Sequence, residues 1–283
     1  NDWWNRKTSP IISMKVPRDQ VIAFGIYTTS KNTLKLSAQL FPLYPEESRI
    51  VKLAFYIDNT WKVVQTEQVN EIGWSVLFRI DNWEVNKNIK YKLIHGKKAF
   101  FEGLIRKDPI NKAEIKLAAL SCNSNKDRGN RDEYVRNINT LDPDLIFFAG
   151  DQSYDHKEHT AAWIKFGLQF RELFRDRPCI TIPDDHDIGQ GNLWGEGGKK
   201  SMRKDGNDGG YFFHPEYVKM VERAQTAHLP DPYHKEELDQ GIKAYFTNLK
   251  IGDVDFAIIE DRKFKSGPNG KIPKQGPRLE VPL

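Results

Sequence analysis

The chain has 283 residues and 32.8 kDa, with 39% hydrophobic and 29% charged residues and a mean hydropathy of −0.64, which excludes a disordered, collagen-like or membrane-embedded protein. Its net charge of +4 comes without a long basic block, so no specific nucleic-acid binding is expected, and no apolar run approaches the roughly 18 residues of a transmembrane segment. The charge is uneven: 17 basic against 11 acidic residues up to Ile110, then 26 against 28. At about 100–200 residues per domain the length predicts two domains, and nothing in it fixes the oligomeric state.

Residues 11–106 read as short β-type runs, 21–27, 34–40, 51–57, 61–65, 74–80 and 89–94, separated by Lys-Asn, Pro and Asp-Asn-Thr turns. That spacing predicts an N-terminal all-β sandwich over 1–108. The polar, proline-ended stretch 106–109 marks a linker. Beyond it strand and helix alternate: strand 115–120, helix 131–140, strand 144–149, helix 159–176 and strand 179–182. This predicts an α/β domain over 109–283 with a mostly parallel sheet. A Gly-rich loop, 189–210, a helix at 216–227 and β-type runs at 243–249 and 254–259 complete the readable pattern.

In an open α/β sheet ligands gather beyond the carboxyl ends of the strands. Here those ends carry Ser121, Cys122 and Asn123; Gly150 to Asp155; and Asp184, Asp185, His186 and Asp187. A thiol, a phenol, carboxylates and an imidazole at one sheet edge make a metal-ligand set. Singly each piece has a plainer reading: Gly-Asp as a turn, Cys122 as a small buried hydrophobe. The Asp-Asp-His-Asp run resists that reading, because its charges repel unless cations or protons neutralise them.

Taken together, Ser-Cys-Asn (121–123), Gly-Asp-Gln-Ser-Tyr-Asp (150–155) and Asp-Asp-His-Asp (184–187), with the pair Asp261 and Arg262, resemble the alkaline phosphatase D (PhoD-like) branch of the calcineurin-like metallophosphoesterases. The resemblance implies an α/β metallophosphoesterase domain, a phosphate-ester substrate, and a binuclear or multinuclear metal site holding Fe3+ with Ca2+ or another divalent cation. It implies Cys122, Asp151 and Tyr154 as iron ligands, with Asp151 bridging to the second cation. Asp185 is implied as a ligand of that cation and His186 as the phosphate-facing group, held by Asp187 or a neighbour. Asn192 is a further candidate ligand, and Arg262 a candidate for bidentate phosphate contact. An extracytoplasmic location is implied by the resemblance alone.

The superfamily's later Gly-Asp-x-His ligand stretch does not follow Ile259. With a chain that opens on Asn1 and stops in a Pro/Gly-rich stretch at Leu283, the expectation is a catalytic domain truncated at its C-terminus. His214, His228 and His234 read as structural or surface residues. Lys199, Lys200, Arg203 and Lys204 in the Gly-rich loop, with Trp194, offer either an anion-attracting surface or a solvated loop. Two competing readings stand beside the enzyme. One is a binding protein whose β-sandwich recognises polysaccharide or envelope partners, with Trp61, Trp74 and Trp83 as its contacts, on a degenerate phosphoesterase scaffold. The other is a structural domain closed by a Cys122–Cys179 disulfide.

Overall fold

The computed structural model describes residues 9–124, 129–189, 191, 198–203 and 208–265. The β-rich part contains β1 (Ile22–Ser30), β2 (Thr33–Leu40), β3 (Ile50–Ile57), β4 (Thr60–Gln68), β5 (Ser75–Asp81), β6 (Ile89–His95) and β7 (Ala99–Ile105). They form two antiparallel sheets, ordered β1-β2-β5 and β4-β3-β6-β7, which pack through Leu34, Leu36, Phe78, Leu53, Phe55 and Leu93. Strand β7 is absent from the sequence reading. Its Ala-Phe-Phe-Glu-Gly-Leu-Ile run carries a glycine, and it becomes a strand by pairing with β6 from His95↔Ala99 to Ile89↔Ile105.

The α/β part follows with β8 (Leu117–Leu120), α1 (Arg131–Leu141), β9 (Leu145–Phe148), α2 (His159–Gln169), α3 (Arg171–Phe174), β10 (Cys179–Thr181), α4 (Asp185–Ile188) and α5 (Pro215–Thr226). β8, β9 and β10 form a parallel sheet in the order β10-β9-β8. β11 (Phe246–Ile251) and β12 (Val254–Ile259) form an antiparallel hairpin. Leu249, Ile251 and Ile258 of the hairpin share a core with Leu145 and Ile180 of the parallel sheet. The helix expected over 159–176 is two helices. Phe170 leaves helical geometry at φ −111° while its ring is buried against Phe148 and Phe166.

The two parts share one apolar core. Every residue of β1 is buried, because one side of the strand faces the sandwich and the other meets α2 and α3. Phe24 lies 5.6 Å from both Trp163 and Phe174, ring centre to ring centre. Gly167 permits this approach, since a Cβ there would stand 1.9 Å from Cε1 of Phe24. Gly167→Ala is therefore expected to destabilise the fold by about 1–3 kcal/mol through overpacking, read as a lower urea midpoint.

Two fully buried histidines tie the layers together. His228 meets the Cys179 carbonyl through Nε2 at 2.9 Å, and His159 lies 3.3 Å from the Gln225 amide. Burial lowers the pKa of each to about 3. An unfolded histidine titrates near 6.5, so between those values the unfolded chain binds more protons and acid favours unfolding. Each histidine's contribution should hold above about pH 6.5 and be lost toward pH 3 at about 1.4 kcal/mol per pH unit, opposed between about pH 4 and 7 by Asp187, whose burial-raised pKa makes the folded state the one that binds the proton. His228→Gln should flatten the slope of urea midpoint against pH; an unchanged slope refutes the assignment.

Both cysteines are free thiols. Cys179 is buried and donates to the Arg177 carbonyl, while Cys122 turns toward Asp151, which overturns the disulfide reading. Of the three tryptophans considered as contacts, Trp74 and Trp83 are core residues. No helix among the described residues is long and apolar enough to cross a membrane.

Candidate metal centre

The three strand ends meet as the parallel topology requires. Pairing of β8 with β9 continues beyond both strands, with Cys122 N donating to Gly150 O and Asn123 N to Asp151 O. The Gly-Asp turn itself needs positive φ, 93° at Gly150 and 55° at Asp151. Only glycine suits the first position, because a Cβ there would also lie 2.6 Å from the Asp184 Cβ.

At the end of β10, Asp184 caps α4. Its carboxylate accepts from Asp185 N at 2.8 Å, and Asp187 reaches back to accept from Asp184 N at 3.0 Å. The other Asp187 oxygen accepts from Gln152 N at 3.0 Å, so one buried side chain clamps the loops after β9 and β10 together. Burial raises the pKa of this carboxyl to about 7. Of the two holders expected for His186, Asp187 or a neighbour, Asp187 is engaged with the backbone N–H groups of Gln152 and Asp184.

His156 holds His186. Its Nε2 lies 2.7 Å from the His186 Nδ1, and the rings stack 5.0 Å apart. Burial and the neighbouring His186 lower the pKa of His156. Tyr154 packs its ring 4.2 Å from His186 on the same loop. The sequence reading passed over His156, because an Asp-His-Lys-Glu-His run signals a polar loop and nothing local points to a partner 30 residues away.

Asp151 is the centre of the arrangement. Its Oδ2 accepts from the Tyr154 hydroxyl at 2.9 Å and the Cys122 thiol at 3.7 Å. Its Oδ1 is buried with no hydrogen-bond partner. Ligand atoms of Asp151, Asp185 and His186 all lie within 4.8 Å of one another. Burial, with Asp185 and Asp184 nearby, raises the Asp151 pKa. Burial and the adjoining Cys122 and Asp151 likewise push the Tyr154 phenol far up. An unpartnered buried oxygen amid mutually repelling acids fits a cation, and the donors around it are of two chemical kinds, the softer thiol and phenol and the harder carboxylate with an imidazole.

Arg262 sits in the turn after β12 and forks onto Asp184, Nε to Oδ1 and Nη2 to Oδ2. The turn is anchored by fully buried Lys263, which pairs with Glu222 and Glu260 and donates to the Lys243 carbonyl. Asn192 lies outside the described residues, as do Trp194 and Lys204. His214 caps α5, accepting from Glu216 N through Nδ1. Beside Cys122 and Tyr154 opens a cavity of about 580 Å³, lined also by Ser121, Arg131, Tyr134 and Phe170, a volume in the range of small-molecule sites.

No protein-family model and no curated protein matches the sequence. Among solved structures the chain is similar to PhoD, with a TM-score of 0.64 and 17% identity, over 89% of this chain and 54% of that one. It is also similar to the purple acid phosphatase PPD1 of yellow lupin (Lupinus luteus) seeds, with a TM-score of 0.56 and 12% identity, over 85% of this chain and 45% of that one. The chain therefore spans about half the length of either. These likenesses show the fold alone: a β-rich N-terminal part followed by an α/β part, arranged as in those two structures.

Proposed function

We propose that this chain is the metal-holding part of a phosphoesterase that hydrolyses phosphate esters with a metal-activated water. The observation that carries the reading is Asp151, whose carboxylate lies among Cys122, Tyr154, Asp185 and His186 and keeps a buried oxygen without a partner. Cys122, Asp151 and Tyr154 would hold a ferric ion, the cation that a thiolate and a phenolate favour. Asp151 and Asp185 would hold a harder divalent cation such as calcium, with His186 facing the phosphate. When bound, such a pair supplies Lewis acidity for the phosphoryl oxygens and lowers the pKa of a water.

This chain's own residues set the geometry. Asp187 fixes the spacing between the loops that carry Asp151 and Asp185. His156 occupies Nδ1 of His186 and leaves Nε2 as the ring's remaining nitrogen, for a phosphoryl oxygen. Arg262, engaged with Asp184 at the rim, holds the acidic loop in place. An extracytoplasmic location goes with the PhoD-like reading.

The test is metal content and hydrolysis together. Protein reconstituted with iron(III) and calcium and then desalted should retain metal near stoichiometry and hydrolyse p-nitrophenyl phosphate or bis(p-nitrophenyl) phosphate. Chelation should abolish turnover. A chain that retains no metal under these conditions overturns the reading.

A further inference from the structure

The side chain of Asn123, next to Cys122 at the end of β8, is spent on neighbouring segments. Its Nδ2 donates to the Gln152 carbonyl at 3.1 Å and to Gln169 Oε1 at 3.0 Å, and its Oδ1 accepts from Arg131 Nε at 2.6 Å. Both amide hydrogens and the amide oxygen are engaged. One half-buried side chain thereby joins the end of β8, the loop after β9, the first residue of α1 and the last residue of α2.

The backbone of the same residue completes the grip. Asn123 N donates to Asp151 O at 2.8 Å, so the carbonyls of Asp151 and Gln152 are both held by donors of Asn123. Asp187 Oδ1 meanwhile accepts from Gln152 N, and the turn that carries Asp151 is fixed through both the N–H and the C=O of Gln152. Such support has a use here. Asp151 at φ 55° and Cys122 at φ 60° both occupy the left-handed region, which a residue with a Cβ adopts at a cost. Arg131 Nη2 also donates to Ser124 O at 2.6 Å, so the guanidinium that holds Oδ1 is itself tied to the strand-end loop.

On the reading that Cys122, Asp151 and Tyr154 hold a metal, we propose that Asn123 is a positioning residue of that centre, whose side-chain amide sets the separation between the Cys122 thiol and the Asp151 carboxylate, 3.7 Å in this structure. Cys122 and Asp151 stand on different loops, and a centre that takes donors from both binds its cation well only if their spacing is held. The amide hydrogens carry the role. Aspartate has the same shape and keeps an oxygen for Arg131, but it has no hydrogen for Gln152 O or Gln169 Oε1 and sets a carboxylate oxygen against both.

Asn123→Ala and Asn123→Asp beside wild type test this on the whole chain, with iron(III) as the probe. In both variants the visible absorption that thiolate and phenolate coordination gives to iron(III) should shift or fade, and iron should pass to a competing chelator about tenfold faster. In the metal-free proteins, hydrogen exchange over residues 150–155 should quicken about tenfold in both variants while β1 exchanges as in wild type, a readout that needs no metal. A wild-type chain that takes up no iron refutes the metal reading and the proposal with it. A wild type that binds iron beside variants with its own spectrum and dissociation rate refutes the proposal alone. Wild-type behaviour of Asn123→Asp overturns it too, since the amide hydrogens are then dispensable. Faster exchange that reaches β1, or a lower urea midpoint with an unchanged iron spectrum, assigns Asn123 to the fold as a whole and likewise overturns it.

Discussion

Asp151→Asn is expected to lower metal retention and phosphate-ester hydrolysis more than roughly a hundredfold, beyond the 10–100-fold typical of a residue that only orients a ligand. Asparagine keeps the side-chain shape and tolerates the 55° φ at this position, so the backbone turn should survive. What disappears is the charge lying among Cys122, Tyr154, Asp185 and His186. In the metal-free protein that charge is a burden, since burial and neighbouring acids disfavour the ionised form. The substitution should therefore leave metal-free stability unchanged or raise it by about 1 kcal/mol, while metal binding falls. Plasma mass spectrometry and urea denaturation measure the two effects. Loss of both metal and stability would indicate a merely structural residue, and near-normal metal content would remove Asp151 from the centre.

His156→Ala should reduce kcat by about 10–100-fold and shift KM less than about threefold, because His186 keeps its place on α4 but loses the group that fixes its ring orientation and tautomer. Gln has an amide near the position of the imidazole Nε2 and can donate or accept, so His156→Gln should recover most of the loss. Steady-state kinetics of the two variants beside wild type distinguish this role from packing. Equal damage from alanine and glutamine assigns His156 to packing, and no damage from alanine shows that His186 is oriented by other contacts.

The chemistry was legible where it is local. Strand–helix alternation marks β8, β9 and β10, and the polar residues directly after each strand mark the edge where a site assembles, since parallel strands place their carboxyl ends side by side. That reasoning gathered Asp151, Tyr154, Asp185 and His186 among the strand-end residues, the family resemblance singled them out, and they lie around one carboxylate or against its neighbours. His156 was hidden by sequence distance and by its polar setting. The clamp by Asp187 was hidden too, because its partner is the Gln152 backbone, which carries no side-chain signature. Composition also could not sort Trp61 from Trp74 and Trp83, since strand alternation faces a ring inward or outward only once register is known.

The sequence by itself determined the class of each half, the order of its main elements, and the residue types gathered at the strand ends. Hydrophobic periodicity and turn chemistry act over a few residues and are written directly in the chain. Only the tertiary structure decided that the two halves share a core through β1, that Arg262 meets Asp184 across 78 positions, that His156 meets His186, and that Asp151 lies among Cys122, Asp185 and His186. Those outcomes depend on close packing between distant segments, such as Gly167 against Phe24 and Gly150 against Asp184, where absence of a single Cβ sets how near two backbones come.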